Sequence, residues 1–249
     1  MSHWRLVLAF TVIMSGRKRL TKHEEQRLYD FHTHTFLSDG VLSPMELIRQ
    51  AYEIGYRTMA ITDHVGPGNL EFILTTLVKE CAMAAKRWDI RPLPGVEITY
   101  VPKEDIDLIA REARSMGAKV VNVHGETVVE PVEPGTNLAA ASSTNVDILA
   151  HPGLITLEEA RIAARNGVIL EVSARRGHGF ANGHVVKTAR EAGALTVLDS
   201  DAHSHHDLLT RDFALKVARG AGLDADEANA LLESGPRHVL SKIGLDYVA

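Results

Sequence analysis

Short apolar runs alternate with longer segments of helical period along most of the chain. The runs are rich in Val, Ile and Leu and have the length of strands. Seven of them are predicted strands: residues 28–31, 58–62, 90–93, 119–123, 147–150, 168–172 and 195–198. Strands that alternate with helices in this way form βα units around a parallel sheet. The pattern therefore predicts an α/β fold.

The segments between these runs carry helix start and stop signals. In residues 43–55, Ser43 is the predicted N-cap, Pro44 takes the first helical position, Glu46 completes a capping box and Gly55 ends the helix. Further helices are predicted at residues 104–116, 157–166, 184–192 and, starting at the proline, 235–244.

Length and composition narrow the class of protein. A chain of 249 residues suits one α/β barrel or two ordinary domains, and no linker interrupts it. With 45% hydrophobic and 24% charged residues it is typical of a soluble globular protein, and its net charge of -5 offers no overall attraction to nucleic acid or to an acidic membrane. Cys81, the only cysteine, excludes an internal disulfide and is predicted to pack in an apolar segment.

The N-terminus carries an apolar run of its own, residues 6–14, between Arg5 and the basic cluster 17–19. The run is too short to span a bilayer, and no cleavage site of small residues follows it cleanly, so a signal peptide is not favoured. We expect residues 1–27 to be an extension outside the folded barrel, in which Met14 is an alternative start, and we expect a cytoplasmic protein.

Nearly every predicted strand ends in residues of metal-binding type: His32 and His34, His64, Glu97, His124, His151, and Asp201 with His203. A single histidine at a strand end is more often a packing residue than a ligand. In a barrel of parallel strands, however, these ends meet at one mouth, where active sites are built from several strands. His32 and His34 are two residues apart and therefore point to the same face. Together the strand ends predict a metal site.

Asp39, in the loop after His34, brings the number of candidate donors to nine. One catalytic zinc takes about three protein ligands and leaves positions open for water and substrate. Nine donors therefore predict two or three ions. Imidazoles mixed with carboxylates favour Zn, Mn or Fe, with Mg as an alternative, and Glu97 is a candidate to bridge two ions.

The order of these motifs resembles that of the PHP superfamily, named for polymerase and histidinol phosphatase, and in particular its stand-alone histidinol-phosphatase-type members. The matching motifs are F31-H-T-H34 with S38-D-G40, I61-T-D-H64, P94-G-V-E97, N122-V-H124, A150-H-P-G153 and D199-S-D-A-H203. They extend over residues 29 to about 205. The resemblance implies a single distorted (βα)7 barrel over residues 28–249, a trinuclear metal cluster at its C-terminal mouth and hydrolysis of phosphoesters.

The resemblance also implies a distribution of the ligands. His32, His34, Glu97 and Asp201 would surround one ion, while His64, His124, His151 and His203 would serve the others. Some members carry a histidine where this chain has Asp39, which leaves the number of ions at two or three. The implied reaction is attack on phosphorus by a hydroxide that bridges two ions, with Asp201 or His203 supplying the proton to the leaving oxygen.

Two further segments are candidates for contact with substrate. After the sixth predicted strand, Arg175, Arg176 and His178 are predicted to hold phosphate, with a solvated basic loop as the alternative. The acidic, proline-rich segment 126–137 either covers the mouth or is plain surface. Four other histidines are predicted to be surface or packing residues: His184, His205, His206 and His238. Of these, His205 is the first candidate for a role at the site.

Three other functions are weighed against a phosphatase of small phosphomonoesters, for which the family name suggests histidinol phosphate. An amidohydrolase also begins with His-X-His, but commonly has a metal-bridging lysine after strand four, where this chain has His124. A nuclease acting on DNA ends or nucleotides is disfavoured by the acidic balance. A non-catalytic metal-binding module is disfavoured by the complete set of donors. No membrane partner is expected, and the oligomeric state is left open.

Overall fold

A computed structural model describes residues 28–247 and contains a barrel of parallel strands. The strands are β1 (Leu28–Asp30), β2 (Tyr56–Ile61), β3 (His64–Val65), β4 (Arg91–Ile98), β5 (Val120–His124), β6 (Ile148–Ala150), β7 (Ile169–Ser173) and β8 (Thr196–Asp199). Their order is β1-β2-β4-β5-β6-β7-β8, and the short β3 pairs with β4. All seven predicted strands are present, and the α/β barrel prediction is confirmed. The two-residue β3 is an addition that the apolar pattern does not indicate.

The barrel nearly closes between its first and last strands. Thr33 forms a parallel bridge with Ala202, and the amide of His34 donates to the Ala202 carbonyl oxygen at 2.8 Å. The carboxylate of Asp199, at the end of β8, accepts a hydrogen bond of 2.7 Å from the amide of Phe31. These bonds bring the residues that follow β1 against those that follow β8.

Eight helices surround the barrel in the part of the chain that the structure describes. They are α1 (Pro44–Ile54), α2 (Leu70–Ala85), α3 (Ile106–Ser115), α4 (Thr136–Ser142), α5 (Leu157–Asn166), α6 (Asn182–Ala192), α7 (Arg211–Gly220) and α8 (Ala225–Lys242). Cys81 is buried in α2 as predicted, and burial raises the pKa of its thiol to about 12. None of these helices is long and apolar enough to cross a membrane.

Two helix predictions need correction. The hydroxyl of Ser43 accepts from the amide of Glu46, but the structure shows no return bond from the Glu46 side chain, so only half of the capping box forms at α1. The last helix does not begin at the proline: α8 runs continuously from Ala225 through Pro236. A complete capping box at Asp224 fixes its start, and Pro236 is buried against the barrel, which offsets the lost hydrogen bond.

The interior of the barrel is apolar at the end where the strands begin. A cluster of buried side chains fills this end: Tyr29, Phe31, Ala60, Leu93, Val120, Ile148, Ile169 and Val197, with Val239 and Leu240 of α8. Side chains on the outer face of the strands, such as Val121 and Leu170, pack against the surrounding helices. Since strand side chains alternate between faces, Glu97, His124 and Glu171 lie on the same inward face as Leu93, Val120 and Ile169, but nearer the mouth.

Residues 1–27 and 248–249 lie outside the described part of the chain. The expectations for an N-terminal extension over residues 1–27, for the apolar run 6–14 and for Met14 therefore stay predictions, as does the extent of the barrel domain.

Candidate metal centre

The predicted donors gather at the mouth of the barrel. Eight of the nine belong to groups whose ligand-type atoms lie within 4.8 Å of one another; His124 is the exception. The groups are His34 with Asp39, His64 and His203; His32 with Glu97 and His151; His32 with His34 and Asp201; and His151 with His178 and Asp201. Residues from opposite ends of the sequence thus converge on one small volume.

Glu97 lies at the centre of this cluster, fully buried at the end of β4. Its Oε2 is 3.3 Å from His32 Nε2 and 2.8 Å from His64 Nδ1, and its Oε1 is 3.3 Å from His151 Nε2. Burial opposes ionisation of this carboxyl, but His32 and His64 hold its pKa well below the usual value. One carboxylate therefore faces imidazoles from three other strand ends.

Several buried polar atoms at this centre have no hydrogen-bond partner among the described residues. They are Nε2 of His32, both ring nitrogens of His34, both carboxylate oxygens of Glu97 and Nδ1 of His151. Each such atom costs about 1–3 kcal/mol when it is buried unsatisfied, and native proteins rarely leave them so. The separations of 3.3 Å around Glu97 also suit two ligands that are each about 2.1 Å from a shared cation. The donor set fits divalent ions.

Glu171, in the middle of β7, orients two of the predicted ligands. Its Oε1 is 2.6 Å from His32 Nδ1, and its Oε2 accepts from the amide of His151 at 2.8 Å. Burial opposes its charge, but His32 keeps the pKa of Glu171 below the ordinary value. Carboxylates in this position fix the ring and tautomer of a ligating histidine. Sequence analysis missed Glu171, although a single acidic residue inside an apolar strand is a usable signal.

Asp63 holds the loop that carries Asp39. It accepts hydrogen bonds from the Thr35 amide at 2.7 Å and from the Ser38 hydroxyl at 2.6 Å. Gly40 completes the turn, where a Cβ would lie 2.5 Å from the His34 carbonyl oxygen, so a side chain does not fit. Asp63 lies within the motif I61-T-D-H64, but the motif alone does not indicate this role.

Asp39 is half-exposed and faces two imidazoles. Its Oδ2 is 3.0 Å from His203 Nε2 and 3.6 Å from His64 Nε2. Burial opposes its charge, but hydrogen bonds to His203 and His64 hold the pKa of this carboxyl far below the usual value. For His64, burial disfavours the charged ring, yet Glu97 and Asp39 raise its pKa to about 10.

Asp201 and His151 have unusual backbone conformations. Their φ angles are 53° and 28°, in the left-handed region that residues other than glycine rarely adopt. Asp201 Oδ1 is 3.4 Å from His34 Nε2, and burial raises the pKa of Asp201 to about 7. Strained residues of this kind cluster at functional sites. Here the strain directs two donor side chains into the mouth.

The three candidates for phosphate binding lie in different environments. Arg175 reaches the mouth: its guanidinium contacts His203 Nδ1 and donates to the Asp201 carbonyl oxygen at 3.2 Å. Arg176 is exposed, and no polar contact to it is seen within residues 28–247. His178 is buried among the imidazoles, its ring centroid 4.1 Å from that of His151.

The segment 126–137 lies over the mouth, the first of the two alternatives considered for it. Glu126 Oε1 accepts from the amides of Gly135 and Asn137, both at 2.9 Å. Gly153 permits the close approach, since with φ 59° a Cβ there would be 2.0 Å from the Glu126 carbonyl oxygen. From this loop, Glu130 places Oε2 3.1 Å from His124 Nε2. Glu130 is a second residue that sequence analysis missed.

The other histidines lie away from the donor groups. His184 Nε2 bonds to the Ile155 carbonyl oxygen at 2.7 Å, and the exposed rings of His205 and His206 lie against each other, tilted by 41°, with centroids 3.7 Å apart. His238 is half-buried on α8. These positions agree with surface and packing roles.

The chain belongs to the PHP domain family, because residues 30–210 match the family model described as PHP domain. It is 45% identical over 218 residues, covering 86% of this chain and 99% of the relative, to an uncharacterized protein of Methanocaldococcus jannaschii. It is also 29% identical over 219 residues, covering 79% of this chain and 87% of the relative, to a probable phosphatase of Thermoanaerobacter sp. strain X514. The resemblance inferred from the motifs is confirmed.

Solved structures with a similar fold include two that bear on the comparison. One is an archaeal ribonuclease P with mature tRNA (TM-score 0.64, 17% identity, covering 88% of this chain and 94% of the other). The other is histidinol phosphate phosphatase from Lactococcus lactis, complexed with zinc, L-histidinol and phosphate (TM-score 0.53, 16% identity, covering 80% and 95%). At these identities the similarity establishes the PHP-type barrel fold.

Proposed function

We propose that this protein is a metal-dependent phosphatase of a small phosphomonoester, with histidinol phosphate as the first substrate to test. The observation that carries the proposal is the set of buried donor atoms around Glu97 for which residues 28–247 supply no hydrogen-bond partner. The coarser class, a hydrolase acting on phosphoric ester bonds, follows from the family and from the relatives named as probable phosphatases.

The donor groups suggest how two or three divalent ions would be held. The first ion would be held by His32, His34, Glu97 and Asp201, and the second by Asp39, His64 and His203. The third would be held by His124 and His151. Zn, Mn or Fe suits these donors, with Mg as the alternative. When bound, such ions supply an activated water as nucleophile and neutralise charge on the phosphoryl oxygens.

Arg175 is the phosphate-binding residue of this proposal. It is 28% exposed, and its Nε lies 3.7 Å from Asp201 Oδ2, so its guanidinium is at the mouth but open to solvent on one side. A guanidinium fork matches two phosphate oxygens and holds the ester in one orientation. Arg176 and His178 have less support for this role.

Asp201 and His203 are the two candidates to deliver a proton to the leaving oxygen. Burial gives Asp201 a pKa of about 7, but a bound cation lowers the pKa of a ligating carboxyl. His203 lies at the solvent-facing side of the cluster and contacts both Asp39 and Asp201. A pH profile of kcat in Asp201→Asn and His203→Gln distinguishes the two, because only loss of the acid removes the alkaline limb.

A small pocket beside His124 would hold the rest of the substrate. Its volume is about 330 Å³, and its lining includes Tyr100, Val101, Ile106, Val123 and Pro131. Such a volume is at the lower end of that of small-molecule sites. The lining supports a substrate with an apolar or aromatic portion next to its phosphate.

The test is a phosphatase screen of the protein after chelation and reconstitution with Zn, Mn, Fe(II) or Mg. Release of inorganic phosphate is measured from p-nitrophenyl phosphate, histidinol phosphate and a panel of metabolite phosphomonoesters. We expect activity to return with an ion, and His34→Ala and Asp201→Ala to abolish it with the fold intact. His206→Ala, which removes an exposed imidazole, is the control. Near-normal activity of His34→Ala or Asp201→Ala would overturn the mechanism.

The same preparation tests the rival functions. Cyclic amides and single-stranded DNA are offered under identical metal conditions. Hydrolysis of an amide without phosphatase activity would establish an amidohydrolase, and release of nucleotides from DNA would establish a nuclease.

A further inference from the structure

Tyr100, two residues after the end of β4, has a strained backbone and an exposed side chain. Its φ angle is 53°, and within residues 28–247 the only other residues besides glycines with a positive φ are His151 and Asp201, both candidate metal ligands. A bulky residue rarely adopts this conformation, which costs free energy and persists only where the surrounding structure imposes it. Burial does not account for it, because Tyr100 is 68% exposed.

The residues on both sides of Tyr100 are fixed and impose this conformation. The Thr99 amide donates to the Val65 carbonyl oxygen at 3.0 Å, and the Thr99 hydroxyl oxygen is 2.7 Å from His64 Nδ1. On the other side, Val101 is buried in the apolar core. If β4 continued, Tyr100 would share the outer face of the sheet with the residue two positions before it. The left-handed turn brings its ring to the mouth instead.

At the mouth, the ring of Tyr100 is paired with the imidazole of His124. The two ring centroids are 6.1 Å apart and the ring planes are inclined by 26°, which is within the range of offset aromatic pairs. His124 is only 2% exposed, so a buried ring supports an exposed one. No hydrogen bond to the Tyr100 hydroxyl is seen within residues 28–247. The exposed feature that this arrangement offers is therefore the aromatic ring.

Two clefts of different chemistry meet at Tyr100. The first has a volume of about 330 Å³ and is lined mainly by apolar side chains such as Ile106 and Val123. The second has a volume of about 300 Å³, and its lining includes the candidate ligands Asp39 and His64. Tyr100 is the one residue that lines both. A molecule that extends from the candidate ligands into the apolar cleft therefore passes over Tyr100.

We propose that Tyr100 is a substrate-binding residue that selects phosphomonoesters with a planar aromatic ring. The substrate ring lies against the phenol ring of Tyr100, and the phosphate reaches the cleft that contains Asp39 and His64. The assignment rests on the proposed phosphatase function and gives it a substrate class. Two aromatic rings attract each other beyond the gain from the area they bury, whereas a saturated ring of the same size gains from the area alone. Selectivity between these two kinds of ring is therefore the property to measure.

The experiment compares benzyl with cyclohexylmethyl ligands on the full-length protein, loaded with the ion that gives the highest activity, or with zinc where none is active. Calorimetry gives the Kd of the two phosphonates, and phosphate release from the two phosphate esters gives kcat and KM. Tyr100→Phe keeps the ring, Tyr100→Leu keeps an apolar side chain, and Tyr100→Asn introduces a residue that tolerates the left-handed conformation. Phe213→Asn, at an exposed ring on α7, is the matched control. Far-UV circular dichroism confirms that each variant is folded.

We expect wild type, Tyr100→Phe and Phe213→Asn to prefer the benzyl ligands to the same extent. In Tyr100→Leu and Tyr100→Asn this preference should fall by about 2–10-fold. The loss should appear in Kd and KM and not in kcat, because the ring binds a part of the substrate that does not react. An unchanged preference in the Leu and Asn variants would overturn the proposal. So would an equal loss in Tyr100→Phe, which would assign the effect to the hydroxyl.

The two measurements separate this proposal from the proposed function. If benzylphosphonate binds in a manner that depends on the ring of Tyr100, but no phosphomonoester is hydrolysed, the phosphatase function is refuted and the role of Tyr100 in binding stands. If the esters are hydrolysed with the same preference in every variant, the function stands and the role of Tyr100 is refuted. If neither phosphonate binds and neither ester is hydrolysed, both are refuted.

Discussion

The two ends of the barrel interior are lined by the same strands but have opposite chemistry. On β4, Leu93 belongs to the apolar cluster that α8 closes, and Glu97, four residues on and on the same face, is the centre of the candidate metal site. On β5 the corresponding pair is Val120 and His124. About four residues of strand, roughly 13 Å, separate a packed core from a cluster of donors.

The difference shows that one end of the sheet contributes mainly to the stability of the fold, while the other end carries the candidate metal site. The apolar end gains from burial, at about 25 cal/mol per Å² of apolar surface, and needs no partner beyond the chain itself. The end at the mouth, the donor end, contains buried nitrogen and oxygen atoms that have no hydrogen-bond partner in the described part of the chain. Those atoms cost free energy until a cation satisfies them. Substitutions at the two ends should therefore separate into losses of activity and losses of stability.

The largest effect is expected at the donor end of β4. Glu97→Gln keeps the shape of the side chain but removes the charge that faces three imidazoles, so we expect phosphatase activity to fall by about 10³-fold. Steady-state kinetics in saturating metal measure it, with circular dichroism to show that the fold persists. Activity within tenfold of wild type would remove Glu97 from the centre of the site.

The matched change at the apolar end is Leu93→Ala. Leu93 is 5% exposed and packs in the barrel interior, so its truncation is expected to lower the free energy of unfolding by about 2–5 kcal/mol. Activity per folded molecule should stay within about twofold of wild type, because Leu93 does not reach the mouth. Urea unfolding and kinetics at low temperature test both parts. A stable but inactive variant would contradict the separation of the two ends.

Metal should stabilise wild type through the donor end. At a free concentration of about 100 times its Kd, an ion that binds only the folded state adds about 2.7 kcal/mol to the free energy of unfolding. Chelation should remove this gain. Thermal unfolding with and without metal measures it, and Glu97→Gln should show a smaller gain than Leu93→Ala. Equal gains in both variants would mean that the ion binds elsewhere.

A smaller effect is expected just below the donors, at Glu171. Glu171→Gln weakens the hold on the His32 ring and the His151 amide without removing a donor, so metal affinity should fall by about 10–100-fold. Competition with a chelator measures the affinity. If affinity is unchanged while stability falls, Glu171 is a core residue and not a positioning residue.

The smallest effect is expected at the start of α8, which closes the apolar end. Asp224→Ala removes the side chain that caps this helix and should lower the free energy of unfolding by about 1 kcal/mol. Metal content and activity should not change. Any loss of metal would show that the two ends are coupled through the barrel.

Much of the fold and of the donor set could be predicted from the sequence, because both follow from local periods. Seven strands are visible in the sequence as short apolar runs, and the donors follow these runs. The start of the long helix α8 is not indicated by the pattern, because proline is common at the first position of a helix. Here a cap at Asp224 and burial of Pro236 keep the helix continuous. The pattern of hydrophobic and polar residues does not by itself show where the helices α2 and α4 begin and end.

The sequence by itself determined which side chains could meet at the mouth, since parallel strands carry their ends to one place and side chains two apart share a face. Only the tertiary structure decided their partners. Glu171 orients His32 from 139 residues away, and Glu130 reaches His124 and His178 because a loop is packed down by contacts along its length. No local period encodes such contacts, because they depend on which segments the closed barrel brings together.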